Sequence, residues 1–68
     1  MKITYDDDAD ALYIGLTDER FATNKKLDNQ TILDLDENES IIGIEILNAS
    51  KRISESSLKE IKLKNVYL

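Results

Sequence analysis

The alternation of apolar and polar residues along this 68-residue chain predicts five β-strands. They cover residues 2–5, 11–16, 22–27, 31–36 and 41–47, and acidic or polar residues that favour turns separate them. The fifth is the most apolar stretch of the chain, with Ile42, Ile44 and Ile46 on one face and Glu45 on the other. This composition predicts a central strand around which a small sheet is built.

The second predicted strand, residues 11–16, is apolar on both faces. Leu12 and Ile14 alternate with Tyr13, so the tyrosine is expected on the face opposite to the aliphatic side chains. Gly43 is expected to let Tyr13 lie against the backbone of the central strand. One layer of helix covers only one face of a sheet, and an apolar outer face favours association. The spacing therefore predicts that Tyr13 lies on a dimer or partner-binding surface.

The pattern changes its period after the fifth strand, which indicates helical structure at the C-terminal end. Ser54 is a good N-cap for a helix over about residues 55–63, with Ile53 and Leu58 in the positions of a hydrophobic staple. The sequence thus predicts a single α+β domain over residues 1–68. Its architecture is a small antiparallel β-meander of four to five strands, with one or two short C-terminal helices packed on one face.

The composition excludes several kinds of site. The chain has no cysteine and no histidine, so it lacks disulfides, the usual zinc ligands, thiol nucleophiles and imidazole bases. A domain of this length buries only about 60% of its unfolded surface, and small domains commonly gain support from a partner or from self-association. No stretch has the about 20 apolar residues that span a bilayer, and the N-terminus has no signal-peptide pattern. We therefore expect a cytoplasmic protein that forms a homodimer or binds another protein.

The charges are divided unevenly along the chain. Residues 1–50 hold twelve Asp or Glu against four Lys or Arg, a net charge of −8, whereas residues 51–68 hold five basic and two acidic residues, a net charge of +3. An acidic body favours a small basic protein as partner and disfavours nucleic acid. We interpret the basic tail as the solvated face of a helix, with a DNA-contacting regulator as the alternative. The adjacent Lys25 and Lys26 predict that the third strand lies at an edge of the sheet.

One stretch of the chain partly matches the calcium loop of an EF-hand. Five positions of that loop are occupied by Asp34, Asp36, Asn38, Ile41 and Glu45. The position that needs glycine for a sharp turn is Glu39, and the flanking residues predict strands where an EF-hand has helices. We therefore interpret these residues as a β-hairpin.

Two further carboxylate patterns could support chemistry. Asp6, Asp8 and Asp10 have the i, i+2, i+4 spacing of ligands for a hard cation, and Asp10 with Glu45 could form an acid/base pair. A polar turn explains the first pattern, and a chain this short has little room for a substrate pocket. We therefore predict no catalytic residue, no metal ligand and no cofactor. The alternative is a metal-binding or carboxylate-dependent enzyme that uses Asp6, Asp8, Asp10 and Glu45.

Three blocks of sequence carry a family resemblance: Tyr5-Asp6-x-x-Ala9-Asp10-Ala11-Leu12-Tyr13-Ile14, Leu33-Asp34-x-Asp36, and Gly43-Ile44-Glu45-Ile46-Leu47-x-Ala49-Ser50. Over about residues 1–53 the chain resembles the small prokaryotic proteins grouped as the domain of unknown function 2283 family. It departs from the family in the turn at residues 37–40, where the family tends to have a glycine, so a tight glycine turn is in doubt. The resemblance implies no established activity. It also implies a similarity to antitoxins, because some members are encoded beside a small ribonuclease-like toxin.

Together these observations predict a non-enzymatic protein-binding module, the antitoxin-like partner of a small basic toxin. The residues expected to contact the partner are Tyr5, Asp6, Asp10, Tyr13 and Glu45. Glu45 is the least explained of them, since a carboxylate in the most apolar strand needs either a partner or a function. Its expected partner is one of three lysines, Lys25, Lys26 or Lys51.

Overall fold

The computed structural model describes residues 1–64 and 66–67, with side chains for residues 1–63, and it confirms the predicted α+β class. In chain order the elements are β1 (Lys2–Asp6), β2 (Ala11–Gly15), β3 (Thr23–Asp28), β4 (Thr31–Leu35), β5 (Ile41–Leu47), a 3-10 helix (Ala49–Lys51), α1 (Glu55–Lys64) and β6 (Val66–Tyr67). The first five strands correspond to the five predicted from alternation, with ends that differ by at most one residue. β6 is an additional short strand, which pairs with β1.

The strands form one antiparallel sheet in the order β3-β4-β5-β2-β1-β6. β1 pairs with β2, and β3, β4 and β5 pair in sequence. In a continuous meander β3 would lie beside β2, but in this sheet β5 takes that position. β2 is apolar on both faces and gains most burial between two strands. The polar β3 lies at an edge, as its lysines predicted, and all its residues are exposed.

The link between β2 and β3 crosses the ends of two other strands. The backbone N–H of Leu16 donates to the carbonyl of Ile42 at 2.8 Å, and that of Ala22 donates to the carbonyl of Leu35 at 2.9 Å. These hydrogen bonds hold the link against β5 and then β4 on its way to the edge strand. The link therefore contributes to the order of the strands as well as connecting them.

The core lies between one face of the sheet and the helices. Its central cluster consists of Leu12 in β2, Ala49 in the 3-10 helix and Leu58 in α1, with exposed fractions of 4%, 0% and 5%. Half-buried side chains pack around them, namely Ile3, Tyr5, Ile14, Ile46, Ile53 and Ile61. The predicted packing of the helical segment on one face is thus confirmed. Because strand residues alternate between faces, Tyr13 and Glu45 point away from the helices.

The helix begins as its sequence predicted. The backbone N–H of Ser57 donates to Ser54 Oγ at 3.2 Å, which places Ser54 at the N-cap. Ile53 and Leu58 both contact the core, as expected for a hydrophobic staple. α1 has ten residues, and no helix in the described part of the chain is long and apolar enough to cross a bilayer.

The hairpin between β4 and β5 has a tight turn without glycine. Asp36 Oδ1 accepts hydrogen bonds from the backbone N–H groups of Asn38 at 2.8 Å and Ser40 at 3.0 Å. Glu39 adopts a left-handed conformation with φ of 64°, which costs a non-glycine residue about 1 kcal/mol or more. The doubt that the missing glycine raised is therefore resolved: a glutamate takes the strained conformation, and Asp36 holds the turn.

Candidate functional site

The five residues predicted to bind a partner lie in separate places. Tyr5 and Asp10 are on the helical side of the sheet, Tyr13 and Glu45 are on the opposite face, and Asp6 begins the turn between β1 and β2. Asp10 and Glu45 therefore do not form the acid/base pair that the sequence left open as an alternative.

Asp10 joins the start of β2 to the 3-10 helix. Its Oδ1 accepts hydrogen bonds from Tyr5 Oη at 2.8 Å and from the backbone N–H of Ser50 at 2.9 Å, and its Oδ2 accepts one from Ser50 Oγ at 2.7 Å. Its own carbonyl accepts from the N–H of Ala49 at 3.0 Å. These bonds explain a non-glycine residue with φ of 52°. The predicted binding residues Tyr5 and Asp10 thus have partners within the chain.

The electrostatics of this cluster follow from the same bonds. The hydrogen bonds from Ser50 and Tyr5 lower the pKa of Asp10, since they stabilise its charged form. The hydrogen bond to Asp10, with burial and the negative charge of Asp10, raises the pKa of Tyr5 to about 12. Asp10 is therefore held as a carboxylate and Tyr5 as a neutral donor, and their hydrogen bonds stabilise the contact between β2 and the 3-10 helix.

The turn after β1 brings three exposed carboxylates together. Oxygen atoms of Asp6, Asp7 and Asp8 lie within 4.8 Å of one another. Asp6 Oδ1 accepts hydrogen bonds from the N–H groups of Asp8 at 3.0 Å and Ala9 at 3.2 Å, so its main contact is with its own turn. Asp7 forms an ion pair with Lys62 of α1, which lowers the pKa of Asp7. The set that the spacing suggested, with Asp10 as third ligand, is not assembled.

Two basic side chains of the tail make polar contacts with the strand segment. Arg52 Nη1 donates a hydrogen bond to the carbonyl of Gln30 at 2.8 Å, and Lys62 pairs with Asp7. Among the described side chains, Arg52 and Lys62 are therefore used within the fold. The predicted tail also includes residues 65 and 68, which lie outside the described residues.

Tyr13 occupies the centre of the sheet face that points away from the helices, which we call the open face. It lies between Thr4 of β1 and Glu45 of β5 in the cross-strand register. The next cross-strand pair on the same face is Gly15 and Gly43, and the tyrosine ring fills the space above both glycines. A Cβ atom on Gly43 would lie 2.3 Å from Tyr13 Oη, and one on Gly15 would lie 3.0 Å from Tyr13 Cε2. The expectation that Gly43 lets the tyrosine lie against the backbone is confirmed.

Asp34 joins Tyr13 and Glu45 on the open face, and sequence reasoning did not place it there. Asp34 is opposite Gly43, and Glu45 is opposite Ile32, so the two carboxyl groups are diagonal neighbours on β4 and β5. Only 9% of Asp34 is exposed. Its Oδ1 atom is buried and has no hydrogen-bond partner among the described residues. We call Tyr13, Asp34 and Glu45 the open-face triad.

The Asp34 carboxyl group affects the protonation of Glu45. A hydrogen bond with Asp34, together with burial and the charge of Asp34, raises the pKa of Glu45 to about 7. Burial and the charges of Asp34 and Glu45 raise the pKa of Tyr13, which keeps its phenol neutral. The open-face triad therefore offers hydrogen-bond acceptors and concentrated negative potential beside an aromatic ring.

None of the three predicted lysines is adjacent to Glu45: Lys51 lies in the 3-10 helix, on the other side of the sheet and near Asp10. Lys25 is opposite Leu33, whose side of β4 faces the helices. Lys26 is opposite Ile32, which separates it from Glu45.

The residues of the β4–β5 hairpin do not form a calcium loop, because β4 and β5 are paired strands and Asp36 binds its own turn. The one sequence signal for Asp34 is its alternation with Leu33 and Leu35, which places it on the polar face; its neighbour could be found only from the register.

Comparison with known proteins gives one match. Residues 2–50, which include β1 to β5 and all of the open-face triad, match the model of a family described as Protein of unknown function (DUF2283). Searches of curated proteins and of solved structures find no match.

Proposed function

This chain belongs to the family Protein of unknown function (DUF2283), and because that description assigns no activity, we propose a function from the open face: the protein is a non-enzymatic binding module whose open face binds a small basic protein. The relationship is that of an antitoxin to its toxin. The proposed setting is the cytoplasm, in agreement with a sequence that has no cysteine.

The observation that carries this proposal is a sheet with one covered face. Both helices in the described part of the chain pack on the Leu12 side. The other face presents Tyr13, Ile32 and Glu45, all half-buried, over three adjacent strands. An aromatic ring among half-buried apolar groups is typical of the centre of a protein interface.

The charge distribution supports a basic partner. The segment that supplies strands β1 to β5 has a net charge of −8, and the segment that begins at Lys51 and contains α1 has a net charge of +3. The segment that contains the helices thus carries the positive charge, and the segment that supplies the five long strands carries the negative charge. Complementary potentials accelerate association and select the partner.

The proposal is tested by capturing the bound protein, identifying it, and reconstituting the complex from the two purified chains. Amide chemical shifts in NMR spectra then map the contact. We expect a small basic protein whose binding perturbs β2, β4 and β5, and a loss of affinity of about tenfold or more in Tyr13→Ala. A matched control is Leu63→Ala on the helical layer, since Leu63 is 79% exposed; its affinity should not change.

Three results would overturn the proposal. One is a complex whose perturbations lie on α1. Another is a chain that stays a monomer at micromolar concentration with no partner recovered from its own cells. The third is a stable dimer of this chain that protects Tyr13, measured by sedimentation and hydrogen exchange, which would assign the open face to a second copy.

A further inference from the structure

The buried carboxylate of Asp34 is unusual among the polar groups of this chain. Its Oδ1 atom has no hydrogen-bond partner among the described residues and is inaccessible to solvent. A buried polar atom without a partner costs free energy, more so when it belongs to a charged group. The neighbouring Glu45 cannot relieve this cost when it is ionised, because like charges repel. The pair therefore lacks a positively charged group.

Groups on the surrounding strands do not supply that charge. Lys26 of β3 is separated from Glu45 by Ile32, and Lys2 of β1 is opposite Gly15, in the register pair next to Tyr13. Lys62 pairs with Asp7 at the turn after β1 and so does not contact the carboxyl pair. The groups facing the carboxyl pair on neighbouring strands are Tyr13 of β2 and Asn24 of β3, which is opposite Asp34. Lys26 is the diagonal neighbour of Asp34 on β3, and it forms no ion pair with either carboxyl group in the described structure.

We infer that the open-face triad is a binding site for a guanidinium group, supplied by an arginine side chain of the basic partner. This inference rests on the proposed function and assigns the partner's anchoring residue. Two carboxyl groups offer acceptors to the planar fork of N–H donors of a guanidinium, and arginine also packs favourably on an aromatic ring such as Tyr13. The bound cation would offset the cost of burying the Asp34 carboxyl group beside Glu45.

Binding of the guanidinium is coupled to a proton. At neutral pH the Glu45 carboxyl group retains part of a proton, because its pKa is raised to about 7. A bound cation favours the doubly ionised pair, so the proton leaves Glu45 for the solvent and no covalent bond other than O–H is broken. Arginine binding should therefore be tighter at pH 8 than at pH 6.

The experiment uses tetra-arginine peptide as probe and the full chain labelled with carbon-13. The side-chain carboxyl signal of Glu45 is followed from pH 5 to 9 with and without saturating peptide. We expect the peptide to lower the midpoint of this titration by about one pH unit. Tetralysine should produce a smaller shift, because an ammonium lacks the planar donor fork. A Glu45 midpoint that does not move while the peptide is bound would overturn the inference.

A pair of charge-matched variants separates a site from general attraction. Asp34→Asn combined with Glu45→Gln removes the carboxyl pair, whereas Glu19→Gln combined with Glu37→Gln removes the same charge from exposed positions. We expect the first variant to weaken peptide binding by about tenfold and the second to weaken it much less. Equal losses in both variants would assign the binding to net charge alone.

The two proposals fail in different ways. If no protein partner uses the open face but the peptide still lowers the Glu45 midpoint, the guanidinium site stands and the proposed function fails. If a partner binds the open face and the Asp34→Asn, Glu45→Gln variant binds it normally, the function stands and the arginine anchor fails.

Discussion

Replacing Gly43 with alanine tests whether the open face is built around the position of Tyr13. No glycine in the described chain has a positive φ, so the backbone at Gly43 accepts alanine without strain. The substitution therefore perturbs only the space above the strand. There, the new Cβ would lie 2.3 Å from Tyr13 Oη and 2.8 Å from Cε1 and Cζ.

The magnitude follows from those distances. Carbon atoms in contact lie about 3.5–4.0 Å apart, so the tyrosine ring has to move by about 1 Å. Such overpacking costs about 1–3 kcal/mol. Without the ring, alanine at Gly43 would stabilise the protein by about 0.5 kcal/mol, because it restricts the unfolded chain. The expected coupling between Gly43 and Tyr13 is therefore at least about 1.5 kcal/mol.

Urea unfolding followed by far-ultraviolet circular dichroism measures this coupling, since the chain has no tryptophan. The four proteins are the natural chain, Gly43→Ala, Tyr13→Ala and the double variant. Gly15→Ala is the control, because its Cβ would lie 3.0 Å from Cε2, and a small shift of the ring relieves that contact. We expect it to change the free energy of unfolding by less than about 1 kcal/mol.

The reasoning is refuted if Gly43→Ala costs the same with and without the Tyr13 ring, with a coupling within about 0.5 kcal/mol of zero. It is also refuted if Gly15→Ala is the more damaging of the two. Either result would mean that the ring does not occupy the space above the central glycine.

Four further predictions concern pH, the turns and the core. Because the pKa of Glu45 is raised from 4.5 to about 7, the folded state holds more protons between these values, and the free energy of unfolding should fall by about 1–2 kcal/mol as the pH rises through this range, after allowance for solvent screening; Glu45→Gln should remove this fall in urea unfolding from pH 5 to 8. Asp10→Ala should lower the urea midpoint more than Asp8→Ala, since Asp10 accepts three hydrogen bonds through its side chain; equal effects would contradict its structural role. Glu39→Gly should raise the free energy of unfolding by about 0.5–1 kcal/mol by relieving the left-handed conformation, and an unchanged thermal midpoint would argue against that strain. Leu58→Ala should cost about 2–4 kcal/mol, and a loss below 1 kcal/mol would show that α1 is not packed as described.

Alternation was sufficient to predict the strands and the face on which Tyr13 lies, because side-chain direction depends only on local backbone geometry. The order of the strands depends on long-range pairing, which no local pattern contains. β2 could pair with β3 or with β5, and the hydrogen bonds of Leu16 and Ala22 that favour the second arrangement form only in the folded chain.

The sequence predicted only those parts of the candidate site that depend on alternation within one strand. Tyr13 and Glu45 were selected from their own strands, whereas Asp34 becomes their neighbour through the register of β4 with β5, which shifts at Asp34 and Leu35. Tyr5 and Asp10 were predicted to bind a partner. In the folded chain Tyr5 donates to Asp10, and Asp10 accepts from Ser50, 40 residues away in sequence, so both side chains stabilise the fold.

The pairing of β2 with β5 has a consequence for when the chain can bind. Two hairpins, β1–β2 and β4–β5, can form from neighbouring residues, but their union joins segments that are distant in sequence and is therefore expected to be the slow step of folding. Before it, Tyr13 lacks Gly43 beneath its ring and the carboxyl groups of Asp34 and Glu45 beside it, since these three residues belong to the other hairpin. The proposed partner would thus bind only folded molecules, and it would not bind a molecule in which the two hairpins have not yet paired.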